Sequence, residues 1–153
     1  MKTYMQLVEE YAKQVNEVFP WDVENDIPGD KYLLLDIREP YEFSAMRLKD
    51  SMNVPRGVLE TACEWNYEET VPELVKARDR HVLVVCRSGH RSVLACYMMQ
   101  LLGFKQVYSL KTGLRGWFEY ELDLINNSGE VVDEDTAEDY FSSHVTEEQL
   151  APL

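Results

Sequence analysis

Apolar residues among the first twenty positions recur at steps of three and four, which is the spacing of an amphipathic helix. We therefore predict a helix over residues 5–19 that ends at Pro20, because proline removes a backbone donor and clashes with the preceding turn. A loop rich in Asp, Asn, Pro and Gly follows. The run YLLLDI after this loop predicts a short buried strand.

Strands and helices then alternate along the chain. The stretch SMNVPRGVL predicts a second strand that stops at Pro55, and residues 69–78 predict a short helix. HVLVV is the most apolar strand candidate, so we expect it in a central parallel position with both faces buried. Residues 91–102 predict a largely buried helix that stops at Gly103. KQVYSL predicts a further strand, and GLRGWFEYE predicts a short helix.

The C-terminal part predicts two more elements. LDLINNSGEVVD resembles a hairpin that turns at Asn-Ser-Gly, and a last helix starts near Asp135 and buries Tyr140 and Phe141. The alternation of strand and helix predicts an α/β fold, a parallel sheet with helices on both faces. We expect one domain over residues 1–153, with an N-terminal helix within 1–20, a core at 32–118 and an acidic extension at 119–153.

The charge distribution excludes several classes of partner. The formal net charge is −13, which makes nucleic acid an improbable ligand. Residues 116–153 contain 11 Asp and Glu and no Lys or Arg. We interpret this segment as a solvated face that aids solubility. The alternative is that it forms a docking surface for a basic protein.

Composition also bears on location and cofactors. No apolar run approaches the ~20 residues that a membrane span requires, so we expect no membrane association. The charged N-terminus lacks the apolar region of a secretory signal, and we predict a cytoplasmic protein. Three cysteines without a CxxC pair, and three histidines without metal-ligand spacing, lead us to expect no metal and no cofactor.

The sequence CRSGHRS places a cysteine directly after the most apolar strand. Ligands of open parallel sheets bind beyond the carboxyl ends of the strands, and Cys86 occupies that point. Backbone N–H groups of the loop, the start of the next helix, Arg87 and Arg91 would all favour thiolate over thiol. Gly89 would let the backbone bend inward where a Cβ would clash. A buried cysteine that merely ends a strand is the alternative, but it leaves two adjacent arginines without an anion to hold.

These segments resemble the rhodanese family of sulfurtransferases. CRSGHRS is similar to the family's six-residue active-site loop, and LLLDIREPYEF, NVPRGVLE and VYSLKTGLRGW resemble further family segments in the same order. Two stretches depart from the family pattern, MRLKDS at 46–51 and TGLRG in place of a Gly-Gly pair. Glu42 stands where some two-domain members have a basic substrate-binding residue, so the resemblance implies sulfur transfer and does not single out thiosulfate as the donor.

The resemblance implies that Cys86 carries a transferable sulfur as a persulfide. The donor would be thiosulfate or another sulfane-sulfur anion, and the acceptor a small-molecule thiol, a protein thiol or cyanide. Substrate contacts are expected from the loop residues Arg87, Ser88, Gly89, His90 and Arg91. His90 either touches the donor or lines the rim of the loop.

Two other function classes compete with this hypothesis. Cys-based phosphatases and arsenate reductases use a wider Cys-x5-Arg loop, whereas four residues separate Cys86 from Arg91 here. A non-enzymatic rhodanese-like module that only binds or regulates is the other alternative, although such modules often lack the cysteine.

Three residues outside the loop need a prediction of their own. Arg38 either extends the positive rim or, with Asp36, hydrogen-bonds neighbouring loops, and we favour this scaffold role. Cys96 is expected in the core. Cys63 would resolve the persulfide only if it formed a disulfide with Cys86, which we do not favour.

Overall fold

The computed structural model describes residues 1–153 and contains one sheet of five parallel strands with eight α-helices. The strands are β1 (Asn16–Val18), β2 (Tyr32–Asp36), β3 (Met52–Asn53), β4 (His81–Val85) and β5 (Gln106–Leu110). The helices are α1 (Tyr4–Ala12), α2 (Pro20–Val23), α3 (Pro40–Ala45), α4 (Leu59–Ala62), α5 (Pro72–Val75), α6 (Arg91–Leu101), α7 (Gly113–Glu119) and α8 (Glu134–Phe141). The prediction of a parallel α/β sheet is confirmed.

The strand HVLVV lies at the centre of the sheet, as its apolar character predicted. The strand order is β1-β5-β4-β2-β3, so β4 has a parallel partner on each side. Successive side chains of β4 point to opposite faces of the sheet. Val82 and Val84 join the core with α4, α5 and α6, whereas Leu83 and Val85 join the core with α2, α7 and α8. Helices therefore cover both faces, and the two cores keep water from the backbone of β4.

The N-terminal prediction is wrong in part. The helix ends at Ala12, and residues 16–18 form β1, which pairs in parallel with β5. Pro20 does not end a helix but begins α2, because proline is well suited to the first helical position. Pairing of β1 satisfies backbone groups of β5 that would otherwise form an open edge. The hydrogen bonds of β1 depend on a strand about 90 residues away along the chain, so no local pattern predicts them.

Two other elements are shorter than predicted. The strand expected near residue 53 contains only Met52–Asn53, and the helix expected over residues 69–78 contains only Pro72–Val75. The central helix α6 and its stop agree with the prediction, since Gly103 adopts a positive φ of 93°.

The C-terminal segment contains two isolated β-bridges and one α-helix. The expected hairpin is reduced to isolated antiparallel bridges, in which Ile125 pairs with both Arg47 and Val131. Helix α8 begins at Glu134, and the Asp133 side chain caps it by accepting the Thr136 N–H at 2.8 Å. Phe141 is buried and Tyr140 is partly buried, close to the prediction. None of the helices has the length and apolar character that a membrane crossing requires.

Candidate active site

Cys86 lies at the carboxyl end of β4, directly before the loop that leads into α6. Its side chain is buried, and Sγ accepts the backbone N–H groups of Gly89 at 3.2 Å and of Ser92 at 3.3 Å. Hydrogen bonds from N–H groups favour the anionic form of a sulfur atom over the neutral form. The loop therefore folds back around the sulfur, as the sequence predicted.

The carbonyl groups of the loop are turned away from the sulfur. Leu114 N donates to Cys86 O at 2.9 Å, and Arg115 N donates to Arg87 O at 3.0 Å, so the first turn of α7 holds both carbonyls. Because the N–H and C=O of a trans peptide point in opposite directions, the N–H groups of Arg87 and Ser88, which belong to these two peptides, face inward. The N–H groups of Ser88, His90 and Arg91 make no hydrogen bond within the chain. The loop is thus a concavity of donors that suits an anion.

Two glycines make this close approach of loop and helix feasible. Gly89 has a φ of +83°, and a Cβ there would lie 2.9 Å from Thr112 N. Gly113 has a φ of +62°, and a Cβ there would collide with the carbonyls of Cys86 and Arg87. Glycine is the residue that adopts positive φ without strain. The predicted role of Gly89 is confirmed, and Gly113 has the same role from the opposite side.

Arg91 is paired with Glu42. The guanidinium donates to both carboxylate oxygens at 2.9 Å, and Glu42 Oε2 also accepts the Glu39 N–H. Burial raises the pKa of Glu42, but the hydrogen bonds from Arg91 and Glu39 outweigh it and leave the pKa below its ordinary value. The Glu42 hydrogen bond raises the pKa of Arg91, with a smaller contribution from the charge of Cys86. Arg91 is therefore a fixed cation near the sulfur whose charge Glu42 largely offsets.

Arg87 points away from the sulfur, towards the end of α8. Its guanidinium donates to Tyr140 O at 3.2 Å and to Ser142 O at 3.0 Å, and it lies 5.6 Å from the Phe141 ring centroid. The hydrogen-bond partners of its guanidinium are carbonyl groups rather than carboxylates, so its positive charge is not neutralised by an ion pair. Arg87 and the C-terminal extension thereby form one wall of a cavity of about 460 Å³ beside the loop.

Ser92 adds a side-chain contact to the sulfur that the sequence did not predict. The thiol of Cys86 donates to Ser92 Oγ at 3.3 Å. Ser92 Oγ lies 2.7 Å from Ser109 Oγ on β5, and both serines are fully buried. The two hydroxyl groups form a polar row behind the sulfur within an otherwise apolar core.

His90 and Tyr4 lie together on the outer side of the loop. Their rings meet edge to face with centroids 6.3 Å apart. Partial burial raises the pKa of the Tyr4 phenol, and the charge of Cys86 raises it further. Helix α1 thus places the Tyr4 ring close enough to Cys86 for their charges to interact. Because His90 packs against Tyr4, its position favours the alternative in which it lines the rim of the loop over the one in which it touches the donor. Tyr11 packs against Tyr97 of α6 and holds α1 in place, with the rings tilted and their centroids 4.5 Å apart.

Ser88 and Arg38 do not contact the sulfur. The Ser88 hydroxyl is half-buried and makes no hydrogen bond within the chain. Arg38, considered above for the rim of the loop, lies instead in the interior with none of its surface exposed. Its guanidinium binds the Asp36 carboxylate and donates to Met46 O, because a buried charge needs such partners. Arg38 therefore holds the scaffold together, which was the favoured alternative.

The other two cysteines are buried in the core that Cys86 borders. Burial raises the pKa of Cys63 to about 11, so its thiolate is scarce at neutral pH. Burial also raises the pKa of Cys96 well above its ordinary value. Neither environment favours a nucleophile, which is the expectation that the sequence analysis preferred for both.

Sequence reasoning missed four residues that shape the site: Glu42, Ser92, Ser109 and Tyr4. Glu42 and Arg91 are 49 residues apart, and no spacing rule joins them. Ser109 could have been found only from the register of β4 and β5, which sets it beside Val84. Tyr4 could have been found only from the packing of α1 on α6.

The sequence and the fold of this chain are similar to those of known proteins. The family model of the rhodanese-like domain matches residues 20–120 of the sequence. A sulfurtransferase of Allochromatium vinosum is 30% identical over 97 residues, which cover 63% of this chain and 81% of that protein. The adenylyltransferase and sulfurtransferase MOCS3 of Drosophila virilis is 33% identical over 87 residues, but this chain spans 19% of its length and the match covers 56% of this chain. Among solved structures, a protein of unknown function from Rhodopseudomonas palustris CGA009 has the same fold, with a TM-score of 0.71 and 20% identity over 86% of this chain and 96% of that one.

Proposed function

The chain belongs to the rhodanese-like domain family, whose members similar to it include sulfurtransferases, and from this premise we propose that it transfers sulfane sulfur through a persulfide on Cys86. The observation that carries the proposal is the donor concavity around Sγ. Two N–H groups bind the sulfur, and three more N–H groups of the loop make no hydrogen bond within the chain. A persulfide would carry its negative charge one sulfur atom further out, and we assign these three unpaired groups to bind it.

The reaction has two steps. The Cys86 thiolate attacks the outer sulfur of an anionic donor such as thiosulfate, forming a new S–S bond while the S–S bond of the donor breaks. Sulfite leaves with the bonding electron pair. An acceptor thiolate, or cyanide in an assay, then attacks the outer sulfur of the persulfide and regenerates the Cys86 thiolate. The products of the second step are a persulfide of the acceptor, or thiocyanate.

We assign the substrate contacts to residues 87–91. The N–H groups of Ser88, His90 and Arg91 bind the persulfide and the oxygen atoms of the donor. Arg87 carries a positive charge that no carboxylate neutralises, so it attracts anions to the loop. Arg91 contributes less attraction, because Glu42 offsets its charge. Ser88, with its unpaired hydroxyl, donates a hydrogen bond to the bound anion.

Thiols as acceptors fit a reducing compartment. All three cysteines of the chain are unpaired, as in proteins of the cytoplasm, where thiols are kept reduced. We propose that the protein acts there on small-molecule or protein thiols.

Mass spectrometry tests the persulfide directly. After treatment with thiosulfate, the wild type gains the mass of one sulfur atom on Cys86, and cyanide or a thiol removes it again. The Cys86→Ser variant gains none and loses thiosulfate:cyanide transfer. The Cys63→Ala variant is the matched control, since Cys63 is buried with a raised pKa, and it retains transfer. Substantial transfer by Cys86→Ser would overturn the proposal.

An assay with an aryl phosphate, together with the search for a sulfur adduct, distinguishes a sulfurtransferase from a phosphatase. Only four residues lie between Cys86 and Arg91, and the Arg91 guanidinium is bound to Glu42 rather than free to clamp a phosphoryl group. We expect no turnover of an aryl phosphate. Turnover of the phosphate together with absence of a sulfur adduct would replace sulfur transfer by phosphate chemistry.

A further inference from the structure

We infer that Ser109 is a positioning residue for Cys86, which acts through the Ser92 hydroxyl to favour the anionic sulfur. The inference deepens the proposed function and rests on it for its biological meaning. Its physical basis is a row of three buried atoms: Cys86 Sγ, Ser92 Oγ at 3.3 Å and Ser109 Oγ at 2.7 Å from Ser92 Oγ. Cys86 is 1% exposed, and both serines are 0% exposed.

Counting protons shows why this row favours the anion. In the thiol state the row contains three protons, one on each atom, but only two contacts in which a proton can be shared. One proton is therefore left without an acceptor, which is costly for a buried polar group. When the thiol proton leaves to solvent, two protons and two contacts remain. Ser109 then donates to Ser92, and Ser92 donates to Sγ.

The direction of the Ser92 hydroxyl changes with the state of the sulfur. In the thiol state Cys86 donates to Ser92, and either hydroxyl of the Ser92–Ser109 pair can be the donor. In the anionic state Ser92 donates to Sγ and Ser109 donates to Ser92, because a thiolate accepts and cannot donate. A hydroxyl group can reverse in this way, whereas the N–H groups of Gly89 and Ser92 are fixed donors. Hydrogen bonds in a row also polarise one another, so Ser109 strengthens the bond from Ser92 to the sulfur.

The position of Ser109 is set by the sheet. Ser109 pairs with Val84 in the register of β4 and β5, and its side chain points to the α6 face. Ser92 lies in the first turn of α6, between this strand and Cys86. The Ser109 hydroxyl has Ser92 as its side-chain partner and does not reach the sulfur itself. It therefore acts on the sulfur only through Ser92.

The thiolate is needed twice in the transfer. It is the nucleophile when the donor is cleaved and the leaving group when the acceptor removes the outer sulfur. Between these steps Sγ is bonded to another sulfur and carries little charge, so the row matters less for the persulfide itself. Loss of Ser109 should therefore slow both half-reactions rather than change the choice of donor.

The pH profile of Cys86 alkylation tests this role without requiring sulfur transfer. The rate of iodoacetamide labelling of Cys86, followed by mass spectrometry, rises with the fraction of thiolate. We expect the midpoint of the Ser109→Ala profile to move upward by about half to one pH unit, since one buried hydrogen bond to the charged form is weakened. Ser92→Ala should move it at least as far. The double variant should match Ser92→Ala alone, because Ser109 has no separate route to the sulfur.

Two controls separate this effect from a general loss of packing. Ser51→Ala removes a hydroxyl that bonds Leu48 O outside the site, and its profile should coincide with the wild type. Ser109→Thr retains the hydroxyl and should return the midpoint to the wild-type value. A Ser109→Ala profile that coincides with the wild type, additive shifts in the double variant, or a Ser109→Thr midpoint equal to that of alanine would each overturn the inference. If the wild type forms no persulfide, the proposed function is refuted. The alkylation profile would still test the role of Ser109, because alkylation does not require sulfur transfer.

Discussion

The side chain of Thr112 fills the space above Gly116 that any other residue at position 116 would need. A Cβ on Gly116 would collide with Cβ and Oγ1 of Thr112, and Gly116 N donates to Thr112 O at 3.0 Å. Thr112 itself has a φ of +70°, which is unfavourable for a β-branched residue. The family resemblance leads one to expect glycine here. Thr112 and Gly116 therefore form a matched pair at the start of α7, the helix that holds the carbonyls of the cysteine loop.

This pairing predicts a context-dependent effect of Gly116→Ala. In the wild type the added methyl group overpacks against Thr112, and we expect the free energy of unfolding to fall by about 1–3 kcal/mol. In a Thr112→Gly background the space is empty, so the same change should be neutral or stabilise by up to about 1 kcal/mol through helix propensity. Chemical denaturation of the four proteins measures the coupling. Equal effects of Gly116→Ala in both backgrounds would contradict the pairing.

The Glu42–Arg91 ion pair predicts a pH-dependent contribution to stability. The pKa of Glu42 is lower in the folded protein than its ordinary value of 4.5, so the folded state favours the carboxylate. The contribution is complete above the unfolded value and is lost as the pH falls through the lower folded value. We expect Glu42→Gln to reduce the free energy of unfolding by about 1–3 kcal/mol at neutral pH, less than for a fully buried pair because Arg91 is partly exposed.

Urea denaturation at a series of pH values measures this difference. The gap between wild type and Glu42→Gln should narrow as the pH falls below about 4.5, because Glu42 of the unfolded chain takes up a proton there before Glu42 of the folded protein does. Glu119→Gln is the matched control, since Glu119 pairs with Arg115 on the exposed surface and its loss should cost little. A gap that stays constant through the acidic range would show that the ion pair contributes nothing.

The contact between Arg87 and the end of α8 predicts that Arg87→Lys loosens the C-terminal extension. Lysine retains the charge but cannot donate to two carbonyls while its head lies flat against Phe141. We expect the free energy of unfolding to fall by about 1–2 kcal/mol and amide exchange in residues 134–142 to become faster.

Hydrogen exchange followed by mass spectrometry resolves this segment from the rest. Arg115→Lys is the control, because Arg115 makes an exposed ion pair within one helix and its replacement should leave exchange in α8 unchanged. Unchanged exchange in Arg87→Lys would mean that α8 is held by its apolar contacts alone.

Local patterns predicted the elements whose formation depends mainly on adjacent residues. The apolar run of β4, the loop with Gly89 and the helix that stops at Gly103 all follow from residues 81–103. The strand β1 was predicted as part of a helix, because Val15 and Val18 fit the helical spacing equally well. Only the presence of β5 beside them favours the extended form, since backbone groups at an open sheet edge gain partners there.

The sequence by itself determined where the cysteine would stand, because an apolar strand, a glycine that permits positive φ and a helix start are encoded within about twenty neighbouring residues. Tertiary structure alone decided where the charges and hydroxyl groups around it would point. Arg91 is turned to Glu42, Arg87 to the end of α8, and Ser109 to Ser92. Ser109 is fully buried and the two arginines are partly buried. Burial favours a polar group that bonds whichever partner the fold brings within reach, however distant that partner is along the chain.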